Sequence, residues 1–313
     1  MADPAPDALL PLTLPALPPR APDSHKGSFG TVLIAAGSRR YPGAAILAAL
    51  GAGRAGAGLV RLALAEGLVD TVLPAVPFAT LLRCAQTEDG GLSSAAAATL
   101  LAAAREADSV VVGPGLGTHA DTGALLGALL AGVERPLVVD ADGLNLLAGR
   151  RELLAALRAR RVPTVLTPHP GEFARLGAAL GWPETEGGGA RPAGREQRRA
   201  LAARMARETG AVVVLKGHGT VVTDGARPYE EQAGNPGLAT GGTGDVLSGA
   251  LGALLCLLPD RLPDAAAAAA LAVHAHAVAG DLAAQELGEE GLLPEDVARH
   301  LGRALAATRA VHG

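Results

Sequence analysis

The chain has 313 residues, 49% of them hydrophobic and 19% charged, a composition that supports a sizeable core and excludes a chain disordered throughout. A formal charge of −4 and only one Trp, two Tyr and three Phe argue against a nucleic-acid reader, which needs basic surface and stacking rings. Cys84 and Cys256 are too far apart for a C-x-x-C site and are expected to act as small buried hydrophobes.

Residues 1–23 carry seven prolines (Pro4, Pro6, Pro11, Pro15, Pro18, Pro19 and Pro22), which remove backbone donors, so this segment is expected to be a disordered tail. Its start, Met1-Ala2-Asp3-Pro4, lacks the basic and unbroken apolar stretches of a secretory signal, which implies a cytoplasmic location. From there, 24–313 reads as a single domain. Strand-like runs at 30–36, 59–64, 109–112, 137–139, 164–167 and 211–215 alternate with longer Ala/Leu-rich helical segments. Val110–Val112, Leu137–Val139 and Val212–Leu215 are apolar on both faces, as in strands covered by helices on each side. The expected fold is three-layer α/β, a mostly parallel doubly wound sheet flanked by helices. A flexible loop is predicted between Trp182 and Arg195, and helices over 246–257, 264–286 and 294–310. The most apolar windows, 43–60, 121–133 and 246–258, are too short or too interrupted by charge to cross about 30 Å of hydrocarbon, so no membrane segment is expected.

The motifs fall where these strands end, the position at which open α/β sheets bind ligands. Asn235–Gly249 (NPGLATGGTGDVLSG) is glycine-rich and leads into a helix, so converging N–H groups and the helix N-terminus could hold a phosphate. Asp245 is then either a base that takes a proton from an attacking hydroxyl or a helix cap. Lys216-Gly217-His218-Gly219-Thr220 follows a strand and precedes another β-like run; it reads equally as a phosphate contact and as a hairpin turn. Thr167-Pro168-His169-Pro170-Gly171-Glu172 stiffens the backbone around one imidazole, which either faces a ligand or caps the next helix. Asp140-Ala141-Asp142-Gly143-Leu144-Asn145 could position Mg²⁺ through waters, or simply cap a helix. Gly113-Pro114-Gly115-Leu116-Gly117 is a turn that lets a ligand approach the backbone. Lys26–Gly30, Ala36-Gly37-Ser38 and Tyr41–Ala45 are Gly/Ser turns by themselves. His274 and His276, two apart on a helix, point to different faces and cannot share a metal, which leaves them as core or surface residues.

Taken together and in this order, the motifs from His25 to Gly249 closely resemble the NAD(P)H-hydrate dehydratase family, a branch of the ribokinase-like superfamily, and the resemblance extends over 25–310. It implies dehydration of the S epimer of hydrated NADH or NADPH at the expense of ADP, or ATP, giving AMP and phosphate when ADP is the donor. It also implies that Lys216, Gly217, His218, Gly219, Thr220, Thr243 and Gly244 hold the nucleotide. Ala44, Gly115, Gly117, His169 and Asp245 would face the hydrated nicotinamide, with Asp245 as catalytic base. Glu172 matches the superfamily's Mg²⁺-associated element, whereas His169 stands where sugar kinases have Asn. Many family chains carry a preceding epimerase domain, which the 24 residues before His25 are too few to encode; the R epimer would then be supplied by separate or spontaneous epimerisation. A homotetramer is expected by the same resemblance. The competing readings are a kinase of a small hydroxymethyl or hydroxyethyl heterocycle, which retains its phosphorylated product, and a nucleotide-binding regulator with an idle base.

Overall fold

The computed structural model describes residues 11–182 and 194–310. The runs that are apolar on both faces are buried on both faces, because they lie inside one nine-stranded sheet with order β3-β2-β1-β4-β5-β6-β7-β8-β9. The strands are β1 (Thr31–Ala35), β2 (Leu59–Ala65), β3 (Thr80–Cys84), β4 (Ser109–Val112), β5 (Leu137–Val139), β6 (Thr164–Leu166), β7 (Val212–Leu215), β8 (Val221–Thr223) and β9 (Pro228–Glu230). Strands β1 to β7 pair in parallel, with Ala35 opposite Val112 and Val139 opposite Leu166, whereas β8 and β9 are antiparallel, with Leu215 opposite Val221. Chain order reverses between β1 and β4, which opens a crevice beyond their carboxyl ends.

The helices are α1 (Pro42–Arg54), α2 (Val69–Val72), α3 (Ala97–Arg105), α4 (Ala120–Gly132), α5 (Asp142–Gly149), α6 (Arg151–Ala159), α7 (Pro170–Ala179), α8 (Arg195–Thr209), α9 (Thr243–Leu255), α10 (Ala265–Leu287) and α11 (Pro294–Ala310). Glycines set how closely α1 and α9 cross. A Cβ on Gly51 would stand 2.1 Å from the Val246 carbonyl oxygen, and one on Gly249 1.9 Å from that of Ala48. This contact fixes the start of α9 against the second half of α1. Helix α10 is the one helix among the described residues long and apolar enough to cross a bilayer; 78% of its apolar stretch is buried inside the fold, so its hydrophobicity serves the core.

The expected parallel α/β sheet is present, and the three C-terminal helices lie within a few residues of their predicted positions. Strand β3 was not anticipated: at the sheet edge it is half exposed and lacks an apolar run on both faces. Strand β9 has three residues and carries no pattern of its own. Residues 11–23, expected in a disordered tail, instead lie against the body. The Leu12 and Leu17 side chains are buried, Leu12 N–H donates to the Pro228 carbonyl at 2.9 Å, and Arg20 donates to the Gly56 carbonyl at 2.7 Å. Prolines deny this segment helix and ladder, yet its leucines still gain by leaving water. Residues 1–10, and 183–193 of the predicted loop, lie outside the described residues.

Candidate active site

The centre of the site is Asp140, buried just past the end of β5. Its Oδ1 accepts from Lys216 Nζ at 2.8 Å and Thr167 Oγ1 at 2.6 Å, and its Oδ2 from Ser248 Oγ at 2.6 Å. Parallel strands bring these groups together: Lys216 follows β7, Thr167 follows β6, and Ser248 projects from α9. Burial alone would raise the Asp140 pKa, but the Lys216 ammonium and the three donors hold it below the usual carboxylate range. Burial likewise opposes the Lys216 charge, yet Asp140, Glu172 and Asp245 push its pKa upward. The floor therefore carries a fixed cation against the start of α9, where a Cβ on Gly244 would stand 3.3 Å from Nζ. Beside it, Ala141 is the one non-glycine residue with positive φ among those described (φ 48°), a strained turn that sends Asp140 and Asp142 to different partners. Asp142 accepts the Gly117 N–H at 2.8 Å and the Asn145 amide at 3.2 Å, tying the Gly113–Gly117 turn to α5.

Two helix N-termini face this floor. At α7, His169 is the N-cap: its Nδ1 accepts from Gly171 N–H at 2.9 Å and Glu172 N–H at 3.3 Å, while Glu172 Oε2 accepts the His169 N–H at 2.8 Å. Those donors assign the imidazole proton to Nε2, which lies 3.4 Å from Glu172 Oε1. Burial, then Lys216, lowers the His169 pKa. Burial raises Glu172 to about 7, against Lys216 and with Asp140. At α9 the N-cap is Gly242 (φ 101°), which offers no side chain, and the N–H groups of Gly241, Gly242 and Gly244 have no partner among the described residues. Asp245 stands in this first turn rather than at the cap. Nothing among the described residues hydrogen-bonds its carboxylate, and burial followed by the nearby Asp140 charge raises its pKa to about 7.

Beyond α9 opens a cavity of about 540 Å³. All seven residues expected to hold a nucleotide line it: Lys216, Gly217, His218, Gly219, Thr220, Thr243 and Gly244. The Lys216–Thr220 segment is the tight connection between the antiparallel β7 and β8, one of its two sequence readings, and it also lines the cavity. Ala44, Gly115, Gly117 and His169 do not line this cavity. Gly115 (φ 61°) packs on α1, where a Cβ would stand 2.7 Å from that of Ala44, and Gly117 faces open space. Gly37 N–H donates to the Pro114 carbonyl at 2.8 Å, so the Ala36–Ser38 and Gly113–Gly117 turns together rim the β1/β4 crevice. Asp245 follows the cavity-lining Gly244 and lies within reach of the Asp140, Lys216, Asp142 and Glu172 charges.

Sequence reasoning missed three groups. His276 lines the cavity, buried, with Nε2 donating to the Thr243 carbonyl at 2.9 Å; burial lowers its pKa to about 4 and keeps it neutral. Ser248 is buried against Asp140, and Ser38 Oγ is enclosed without a partner. A serine in a Gly-rich run and a histidine in an Ala-rich helix give no local sign of these positions. For metal, no group of three or more His, Cys, Asp or Glu among the described residues forms a cage, and Glu172, expected as a ligand, is engaged in the α7 cap.

A family model described as NAD(P)H-hydrate dehydratase matches residues 32–303. The chain belongs to the NAD(P)H-hydrate dehydratase family. The bifunctional NAD(P)H-hydrate repair enzyme Nnr of Thermofilum pendens is 39% identical over 94% of this chain and 53% of its own length, so the chain spans about half the length of the curated relatives it matches. The crystal structure of the ADP/ATP-dependent NAD(P)H-hydrate dehydratase of Bacillus subtilis, crystallised with ATP and Mg²⁺, is similar at a TM-score of 0.73 and 30% identity, over 94% of this chain and 95% of that one. A ribokinase-like superfamily protein from Enterococcus faecalis gives a TM-score of 0.74 at 26% identity, over 93% and 92%. The dehydratase-family chain thus has the ribokinase-like fold expected of it, and members of this family are hydro-lyases of nicotinamide-nucleotide repair.

Proposed function

We propose that this chain dehydrates the S epimer of hydrated NADH or NADPH, using ADP, or ATP, as the phosphoryl donor. The observation that carries the reading is Asp245: a carboxylate without a hydrogen-bond partner, its pKa near 7, at an open helix N-terminus beside Lys216. A base needs a pKa near working pH, and transferring phosphate needs donors aimed at its oxygens; these two requirements meet within three residues of α9.

In this reading the nucleotide lies in the cavity against Gly217–Thr220, with its terminal phosphate on Lys216 and the N–H groups of Gly241, Gly242 and Gly244. The hydrated nicotinamide lies in the β1/β4 crevice against Ala44, Gly115, Gly117 and His169. Asp245 takes the proton of the C6 hydroxyl, whose oxygen attacks the terminal phosphorus of ADP; the phosphoanhydride bond breaks and AMP leaves. The ring nitrogen lone pair then expels phosphate from C6, and loss of the C5 proton restores the dihydronicotinamide. Phosphate leaves far more readily than hydroxide, which is the energetic use of the nucleotide.

Mg²⁺, when bound, supplies charge neutralisation on the nucleotide phosphates. An ion that keeps several waters and takes few protein ligands fits a site with scattered carboxylates and no cage. Both substrates belong to cytoplasmic pools, so the reading carries a cytoplasmic location. A homotetramer is the assembly we infer with it, and light scattering tests that point.

The deciding experiment follows recovery of dihydronicotinamide absorbance from hydrated NADH with ADP, ATP or no nucleotide, each with Mg²⁺, in wild type and Asp245→Ala. Recovery that needs a nucleotide and is lost in the variant is the expected result. A stable phosphorylated product without recovery would instead identify a heterocycle kinase, and neither product a regulator.

A further inference from the structure

Four arginines converge on a second cavity, of about 230 Å³, where α1, α9 and α11 end: Arg20, Arg54, Arg261 and Arg309. On α9 the lining residue Ala253 lies eight residues past Asp245, about 12 Å at the rise of a helix, and this cavity shares no lining residue with the one beside Gly244, so it is not part of the candidate active site. None of the four makes an ion pair among the described residues, in a chain whose formal charge is −4. The Arg20 guanidinium lies 3.7 Å from the centroid of the Phe29 ring and that of Arg261 5.2 Å from it, so two cations share one aromatic ring. Arg309 Nε is enclosed with no hydrogen-bond partner. Burial, then Arg309 and Arg261, push the Arg20 pKa down, the sign of like charges without a counter-charge.

The helix C-termini do not neutralise this cluster. Each carries about half a negative charge, so three supply roughly −1.5 against four guanidiniums. Among the described residues two backbone carbonyls accept from the cluster, Gly56 from Arg20 at 2.7 Å and Pro19 from Arg261 at 3.3 Å. Guanidinium forks match adjacent anionic oxygens two at a time, and several forks around one cavity call for several such oxygens in a row. A lone carboxylate would satisfy one fork. A cavity below the roughly 300 to 1,000 Å³ usual for drug-sized ligands has room for two or three linked phosphates and not for a whole nucleotide.

We propose that this arginine cavity binds a phosphoanhydride anion, a chain of two or three phosphates that is either free or the tail of a nucleotide whose base stays outside. The test is calorimetric titration of the full chain with inorganic pyrophosphate at fixed ionic strength, in wild type, Lys216→Gln and Arg20→Gln/Arg309→Gln. Binding is expected in wild type and in Lys216→Gln, and to weaken at least about tenfold in the double arginine variant. Arg54→Gln, at an exposed position ending α1, is expected to weaken binding severalfold and carries the test if the double variant does not fold. Pyrophosphate binding that survives the arginine changes, or that disappears with Lys216→Gln, would put the anion in the catalytic cavity and overturn the proposal. Equal binding of sulfate at matched ionic strength would also overturn it, because that is general screening. Competition by ADP in the Lys216→Gln protein would identify a nucleotide tail as the source, and its absence the free anion; either result supports the site.

Discussion

Helices α7 and α9 start at the same end of the sheet and face the same buried charges, yet their N-termini differ. At α7 the His169 ring and the Glu172 carboxylate occupy the free N–H groups from within the chain. At α9 the cap is a glycine, and those groups face the cavity. A capped helix gains local stability and loses its use as an anion site; an uncapped one, as α9 with Gly241, Gly242 and Gly244, keeps donors unsatisfied until a ligand supplies oxygens. The two carboxylates follow the same division. Glu172 and Asp245 both rise to about 7 through burial, but Glu172 is held by its helix cap whereas Asp245 has no hydrogen-bond partner among the described residues.

The largest test of this contrast is Asp245→Asn. If Asp245 alone serves as base, turnover falls by about 10² to 10⁴ with nucleotide affinity kept. In the wild type kcat/KM should rise with pH through about 7, as the carboxyl loses its proton, and this limb should be lost in the variant. Stability moves the other way. A carboxyl group that is harder to ionise folded than unfolded costs stability as pH rises from its ordinary 3.8 to about 7, so Asp245→Asn should be more stable at pH 8 by about 1 to 3 kcal/mol in a denaturant melt.

Gly242→Ala asks whether the open start of α9 depends on its backbone. The residue holds φ 101°, and a Cβ would stand 2.5 Å from a Leu47 methyl, so a loss of about 2 kcal/mol and a nucleotide affinity lowered roughly tenfold are expected. The smallest effect is at α7. His169→Ala should lose about 1 kcal/mol of stability as the cap disappears, and His169→Asn should restore it, because Asn caps equally well. If kcat/KM recovers along with stability in His169→Asn, the histidine acts only as a cap; if it stays low, the imidazole itself meets the substrate.

Much of this was legible in the sequence because the signals are local. Strands apolar on both faces require helices on each side, and turns rich in Gly and Pro fall where strands end; the family resemblance singles out Lys216–Thr220 and Thr243–Gly244, and these line the cavity of about 540 Å³. The Leu12–Arg20 segment was misread because proline density reports what the backbone cannot form and says nothing of what its leucines can bury.

The sequence by itself determined the α/β layering, the place of the glycine-rich loops at strand ends among the described residues, and the family. Only the tertiary structure decided what those loops meet. Asp140 meets Lys216 across 76 residues and Ser248 across 108, and His276 reaches the cavity from a helix whose composition hides it. Ionisation follows the same rule: residue type sets the ordinary pKa, but the displacement of Asp245 and Glu172 comes from lost water and summed neighbouring charge, which exist only once distant segments are packed together.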